Sequence, residues 1–95
     1  MSIDLAALPK VQLHCHLEGT VRPETFRSLA AKYGVGLGER ARPERTYAFD
    51  SFREFLLLFA KVTETMREPA DFARIARDYV VDAAAQGVAY AEVFV

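Results

Sequence analysis

The stretch Val11-Gln12-Leu13-His14-Cys15-His16-Leu17-Glu18-Gly19 contains both histidines of the chain, two residues apart in a run that alternates apolar and polar side chains. Such alternation predicts a short β-strand from Val11 to His16, because side chains at i and i+2 of a strand project from one face. That spacing assigns Gln12, His14 and His16 to one face, and Val11, Leu13 and Cys15 to the other. Two imidazoles so placed can converge on one metal ion at about 2.0–2.1 Å per Zn–N bond. On residue type alone, the same pair also reads as unligated surface or core histidines. Cys15 falls on the opposite parity and reads as a small buried hydrophobe packed against a helical layer, not as a third ligand.

Working outward, Leu8-Pro9-Lys10 closes a short leader, and Gly19 ends the strand. Pro23 opens a helix where its missing N–H is harmless. Phe26, Leu29, Ala30 and Tyr33 follow at helical spacing, and Gly34 stops the helix. Gly34, Gly36, Gly38 and Pro43 predict a loop over 34–48, in which Arg40, Arg42 and Arg45 read as a solvated turn. Ser51-x-x-Glu54 reads as a capping box for a second helix whose apolar stripe is Phe52, Phe55, Leu56, Phe59, Val62 and Met66. Pro69 and Asp71 start a third, with Phe72, Ile75, Ala76, Tyr79, Val80 and Ala83 as its stripe and Gly87 as its stop. Val88 to Val95, β-branched and aromatic, reads as a second strand.

Strand, helices, strand implies a right-handed parallel β-α-β unit. A parallel sheet needs several strands and helices on both faces, so the expectation is a portion of a larger α/β protein. Residues 1–95 are then one N-terminal fragment of a single domain.

Composition narrows the function classes. A net charge of −1 and scattered Lys and Arg argue against nucleic-acid or anionic-membrane partners. No apolar run approaches the roughly eighteen residues of a membrane span, and the N-terminus carries Asp4 in place of a basic signal region. One cysteine excludes an internal disulfide framework and fits a reducing, cytoplasmic setting. With 52% hydrophobic residues the chain can build a core.

Both histidines stand at the C-terminal end of the first strand, where catalytic groups gather in α/β barrels. Glu18 lies just beyond, as a hydrogen-bonding carboxylate or an ordinary acid on the approach to a helix, and Gly19 lets a ligand come close to the backbone. Glu92 reads as structural. A catalytic zinc site usually takes three protein ligands and an open position, so the remaining ligands are expected outside these residues.

Leu8-Pro9-Lys10-Val11-Gln12-Leu13-His14-Cys15-His16-Leu17-Glu18-Gly19-Thr20, followed by Arg22-Pro23-Glu24-Thr25, resembles the N-terminal motif of the adenosine/adenine deaminase family. Phe55-Leu56-Leu57-Leu58-Phe59, with Phe52 one turn earlier, is similar to that family's hydrophobic helical gate, although the same residues also read as plain helix core. Ala84 to Val93 resembles the family's second strand and its approach. The resemblance implies the N-terminal portion of a (β/α)8 TIM barrel of the amidohydrolase type: first strand, inserted helices, second strand.

It also implies one zinc ion held by His14 and His16 with later ligands, and a general acid and base beyond Val95. The implied reaction is hydrolytic deamination of a small-molecule 6-aminopurine by a zinc-activated hydroxide, adenosine to inosine plus ammonia in the first instance. His16, Glu18, Gly19, Phe52, Phe55, Leu56 and Phe59 would contact the substrate. Glu18 departs from the commoner Asp of adenosine deaminases and matches the family's adenine deaminases. The extra methylene carries the carboxylate about 1.5 Å deeper, toward where ribose would sit. Adenine or a modified nucleoside such as aminodeoxyfutalosine is therefore an alternative substrate. A non-purine amidohydrolase is a rival enzyme class, and a truncated or binding-only barrel fragment is the non-enzymatic one.

Overall fold

A computed structural model describes residues 2–36 and 47–95. Strand β1 spans Lys10–His16 and runs into a single 3-10 turn at Leu17–Thr20. Helices α1 (Pro23–Tyr33), α2 (Phe52–Glu64) and α3 (Pro69–Ala85) follow, and β2 closes the order at Val88–Phe94. The two strands pair in parallel, as a β-α-β connection requires. The Arg40, Arg42 and Arg45 trio lies outside the described residues, as does most of the glycine-rich loop.

β1 is not the regular strand that alternation predicts. Gln12 stands opposite Ala91 and Cys15 opposite Val93, so Leu13 and His14 together face Glu92 alone. That is a bulge, with His14 at φ +73°. One extra residue reverses the parity on one side of the bulge. Gln12 therefore stays at the border of the histidine groove but turns its side-chain oxygen toward α3, where it accepts a bond from the Tyr79 hydroxyl at 2.5 Å. Cys15, on the far flank, is buried as expected, whereas Val11 and Leu13 are exposed.

The leader is fastened at the opposite end of β1. The Lys10 ammonium donates to the carbonyls of Leu5 and Leu8, and the Lys10 N–H donates to the Gly87 carbonyl at 2.9 Å. Gly87 sits at φ +75°, and a Cβ there would lie 2.5 Å from the Ala6 carbonyl and 2.8 Å from that of Leu8. Glycine is required at this crossing on both counts.

Each helix is bounded by the signals in its sequence. Pro23 occupies the first turn of α1, and Gly34, at φ +65°, returns its N–H to the Ala30 carbonyl. At α2 the Ser51 hydroxyl accepts the Glu54 N–H at 3.1 Å, but the Glu54 carboxylate takes the Asp50 N–H at 2.6 Å, so the capping box closes one residue early. The core gathers Leu17, Val21, Phe26, Leu29, Ala30, Val62, Met66 and Ile75, with Leu58, Phe72 and Tyr79 packed against it. The expected stripe of α2 thus divides. Val62 and Met66 enter the core, while Phe52, Phe55 and Leu56 remain exposed. On α3, Ile75 is fully buried, but Val80 faces outward.

Two polar clusters bind α1 to α3. Arg22 grips Asp82 through two bonds of 2.7 and 2.8 Å, and the Thr25 hydroxyl donates to Asp78 at 2.6 Å. Asp71, only 2% exposed, accepts from the Tyr33 hydroxyl, from the Lys32 ammonium at 3.0 Å and from the backbone of Arg67 and Glu68. The Tyr33 bond, followed by the Glu68 N–H and Lys32, holds the Asp71 carboxyl well below the usual carboxylate range, against the opposing effect of burial. A depressed folded-state pKa contributes stability above the unfolded value of about 3.9, and that contribution is lost as pH falls through the folded value. Melting temperature is therefore expected to drop as pH is lowered below about 4, and Asp71→Asn should flatten that dependence. Parallel pH–Tm curves for the two proteins would refute the assignment.

Candidate active site

The bulge, the 3-10 turn and the first turns of α2 enclose one open groove of about 690 Å³. His14, His16, Glu18 and Gly19 lie along one side, with Phe55, Leu56 and Phe59 across from them. Gln12, Cys15 and Thr20 complete its border.

His14 and His16 meet edge to face, with ring centroids 5.1 Å apart and planes at 67°. Among the described residues neither imidazole is engaged by a side-chain hydrogen bond, and both are exposed to the groove. A pair of accessible, uncommitted nitrogen donors suits a borderline-soft divalent ion such as zinc. Among the described residues no third His, Cys, Asp or Glu joins them in a cluster that could hold a metal.

Phe94 of β2 was missed from sequence as part of this site. Its ring lies 4.8 Å from that of His14 and 5.5 Å from that of His16. It stands opposite His16 in the strand register, on the same parity as Tyr90 and Glu92. That parity was the available signal, because once β2 pairs in parallel with β1 an aromatic beside the second histidine must meet it. Glu92 itself accepts the Tyr90 hydroxyl at 2.8 Å.

Glu18 is half-buried in the 3-10 turn, and Thr20 pins that turn by donating its hydroxyl to the Leu17 carbonyl at 2.8 Å. A Cβ on Gly19 would meet nothing within 4 Å, so its backbone is open to the groove. The aromatics of α2 form a ladder: Phe52 on Phe55 and Phe55 on Phe59, each pair at 6.1 Å. Phe55 and Phe59 border the groove, whereas Phe52, 73% exposed, lies beyond its lining. A smaller apolar recess behind Phe55 and Phe59 is lined by Glu18, Val21, Tyr47 and Leu58. Tyr47 closes it by donating its hydroxyl to the Val21 carbonyl at 2.7 Å.

The model of the adenosine deaminase family matches residues 9–95. The chain belongs to that family. An adenine deaminase of Streptomyces coelicolor is 40% identical over 92 residues, which cover 95% of this chain and 27% of that protein. An aminodeoxyfutalosine deaminase of Acidothermus cellulolyticus is 36% identical over 92 residues, 95% of this chain and 26% of that protein. Among solved structures, the N6-methyl-AMP deaminase of Arabidopsis thaliana superposes with a TM-score of 0.72 at 27% identity, over 94% of this chain and 26% of that one. The chain is α/β and matches the N-terminal strand, helices and second strand of the adenosine deaminase barrel. It spans about a quarter of the length of the curated relatives it matches. Among the described residues no helix is long and apolar enough to cross a membrane.

Proposed function

We propose that this chain forms the first quarter of a barrel that hydrolytically deaminates a 6-aminopurine, with free adenine as the preferred substrate. The observation that carries the reading is the convergence of His14 and His16 at one wall of a groove whose facing wall is aromatic. The reaction replaces the exocyclic amine of the purine with a water oxygen and releases ammonia. His14 and His16 would hold the divalent ion, zinc in this family. When bound, such an ion lowers the pKa of water toward neutrality.

The remaining residues bind and orient. Phe55, Leu56 and Phe59 offer an apolar face suited to a flat purine and keep bulk water from it. Phe94 backs both imidazoles. Gly19 lets the ring edge approach the main chain. Phe52 supports Phe55 from outside the groove.

Adenine is preferred over adenosine because of Glu18. Glu18 borders the groove, and its arm, one methylene longer than an Asp, would occupy space that a ribose attached to the base needs. The relatives named adenine deaminase agree with this choice, while an aminodeoxyfutalosine deaminase at similar identity marks a modified nucleoside as the second reading. Glu18→Asp should shift kcat/KM from adenine toward adenosine by about ten- to a hundredfold, the scale set by roughly 1–3 kcal/mol for one buried polar interaction. The test is the loss of purine absorbance with both substrates, in wild type and variant, using the barrel protein that carries this chain. Equal effects on the two substrates would mean that Glu18 does not read the sugar position. Turnover of neither adenine nor adenosine would overturn adenine as the substrate in favour of the modified nucleoside; turnover of no 6-aminopurine would overturn the proposed reaction.

A further inference from the structure

Positive φ is a conformation that a side chain with a Cβ rarely adopts, and His14 adopts it inside a strand. Such a conformation persists only where its surroundings impose it. Both flanks of this bulge meet one residue of α3. Ahead of it, the Gln12 side chain accepts the Tyr79 hydroxyl at 2.5 Å. After it, the buried Cys15 thiol lies beside that same hydroxyl. Tyr79 is in turn held by α3, packed against the core with Phe72 and Ala76. In a regular strand the Gln12 side chain would share the parity of His14 and His16; with the bulge it reaches Tyr79, so the Tyr79–Gln12 bond and the bulge occur together.

We infer that Tyr79 and Gln12 are a positioning pair that holds the bulge, and through it the His14 imidazole, in register with His16 for sharing one ion. This rests on the metal reading given above. Neither residue touches the ion or the substrate amine; both act through the backbone between Gln12 and Cys15.

The test is zinc affinity, measured by competition with a chromogenic chelator on the full barrel protein. Tyr79→Phe keeps the ring and its packing and removes only the hydroxyl. It should weaken zinc binding by about tenfold or more, the scale on which groups that orient ligands act. Gln12→Leu should weaken binding equally, and the double variant should be no worse than either single one, because all three break the same bond. Gln12 lies outside the core, so its variant decides the matter even if Tyr79→Phe proves unstable. Unchanged zinc affinity in Gln12→Leu, or losses that add in the double variant, would overturn the pair. A wild-type barrel that fails to bind zinc would overturn the metal reading itself, and the two failures are thereby distinguished.

Discussion

Replacing His14 or His16 by alanine is expected to strip the barrel protein of nearly all bound zinc and to lower turnover by at least about a thousandfold, the rate equivalent of roughly 4 kcal/mol. The two rings are neighbours at 5.1 Å on one wall of the groove, and no other His, Cys, Asp or Glu cluster among the described residues could take their place. The two positions should nevertheless differ in stability. His14 sits at φ +73°, where glycine is relieved of a penalty of about 1–2 kcal/mol that other residues bear. His14→Gly is therefore expected to melt above His14→Ala, although both lose the ion. At His16, whose φ is −87°, glycine should melt no higher than alanine. Elemental analysis and thermal melts of the four variants check both points. Full metal occupancy in His14→Ala would overturn the assignment of that ligand.

Phe26→Ala carries the largest expected loss of stability, about 3–5 kcal/mol for a fully buried aromatic. Phe26 is 0% exposed, and it packs in one cluster with Leu17 and Val21, which flank the Glu18 turn, with Val62 of α2 and with Ile75 of α3. Its ring lies 6.0 Å from that of Tyr47, which closes the recess behind the groove. Deleting the ring leaves a cavity where residues of the three helices meet. Phe26→Leu should recover most of the loss by retaining apolar volume. Denaturant midpoints for the two variants test this. A loss below about 1 kcal/mol in Phe26→Ala would show that the cluster repacks freely.

The architecture was readable because its signals are local. Pro23, Gly34, Ser51, Pro69 and Gly87 act on the backbone within a turn of where they stand, and the structure places a helix boundary at or beside each. The α1 stripe was legible too: Phe26, Leu29 and Ala30 are buried as their spacing predicts. The stripe of α2 was not, because periodicity says which residues share a face and not what that face meets. Phe52, Phe55 and Leu56 share the helix with Val62, yet Phe55 and Leu56 look onto the groove and Val62 onto the core.

By itself, then, the sequence determined the order strand, helices, strand, the parallel pairing that this order demands, and the two histidines at the strand end as the candidate ligands. Tertiary structure alone decided which side chains meet there. A strand's parity is counted one residue at a time, so one bulge between Gln12 and Cys15 moves Gln12 to Tyr79 while leaving His14 beside His16. Phe94 reaches the same imidazoles from the other end of the described chain. Neither placement is written in local propensity. Both follow from pairing β1 with β2 and packing α3 behind them, which joins residues nearly the whole chain apart.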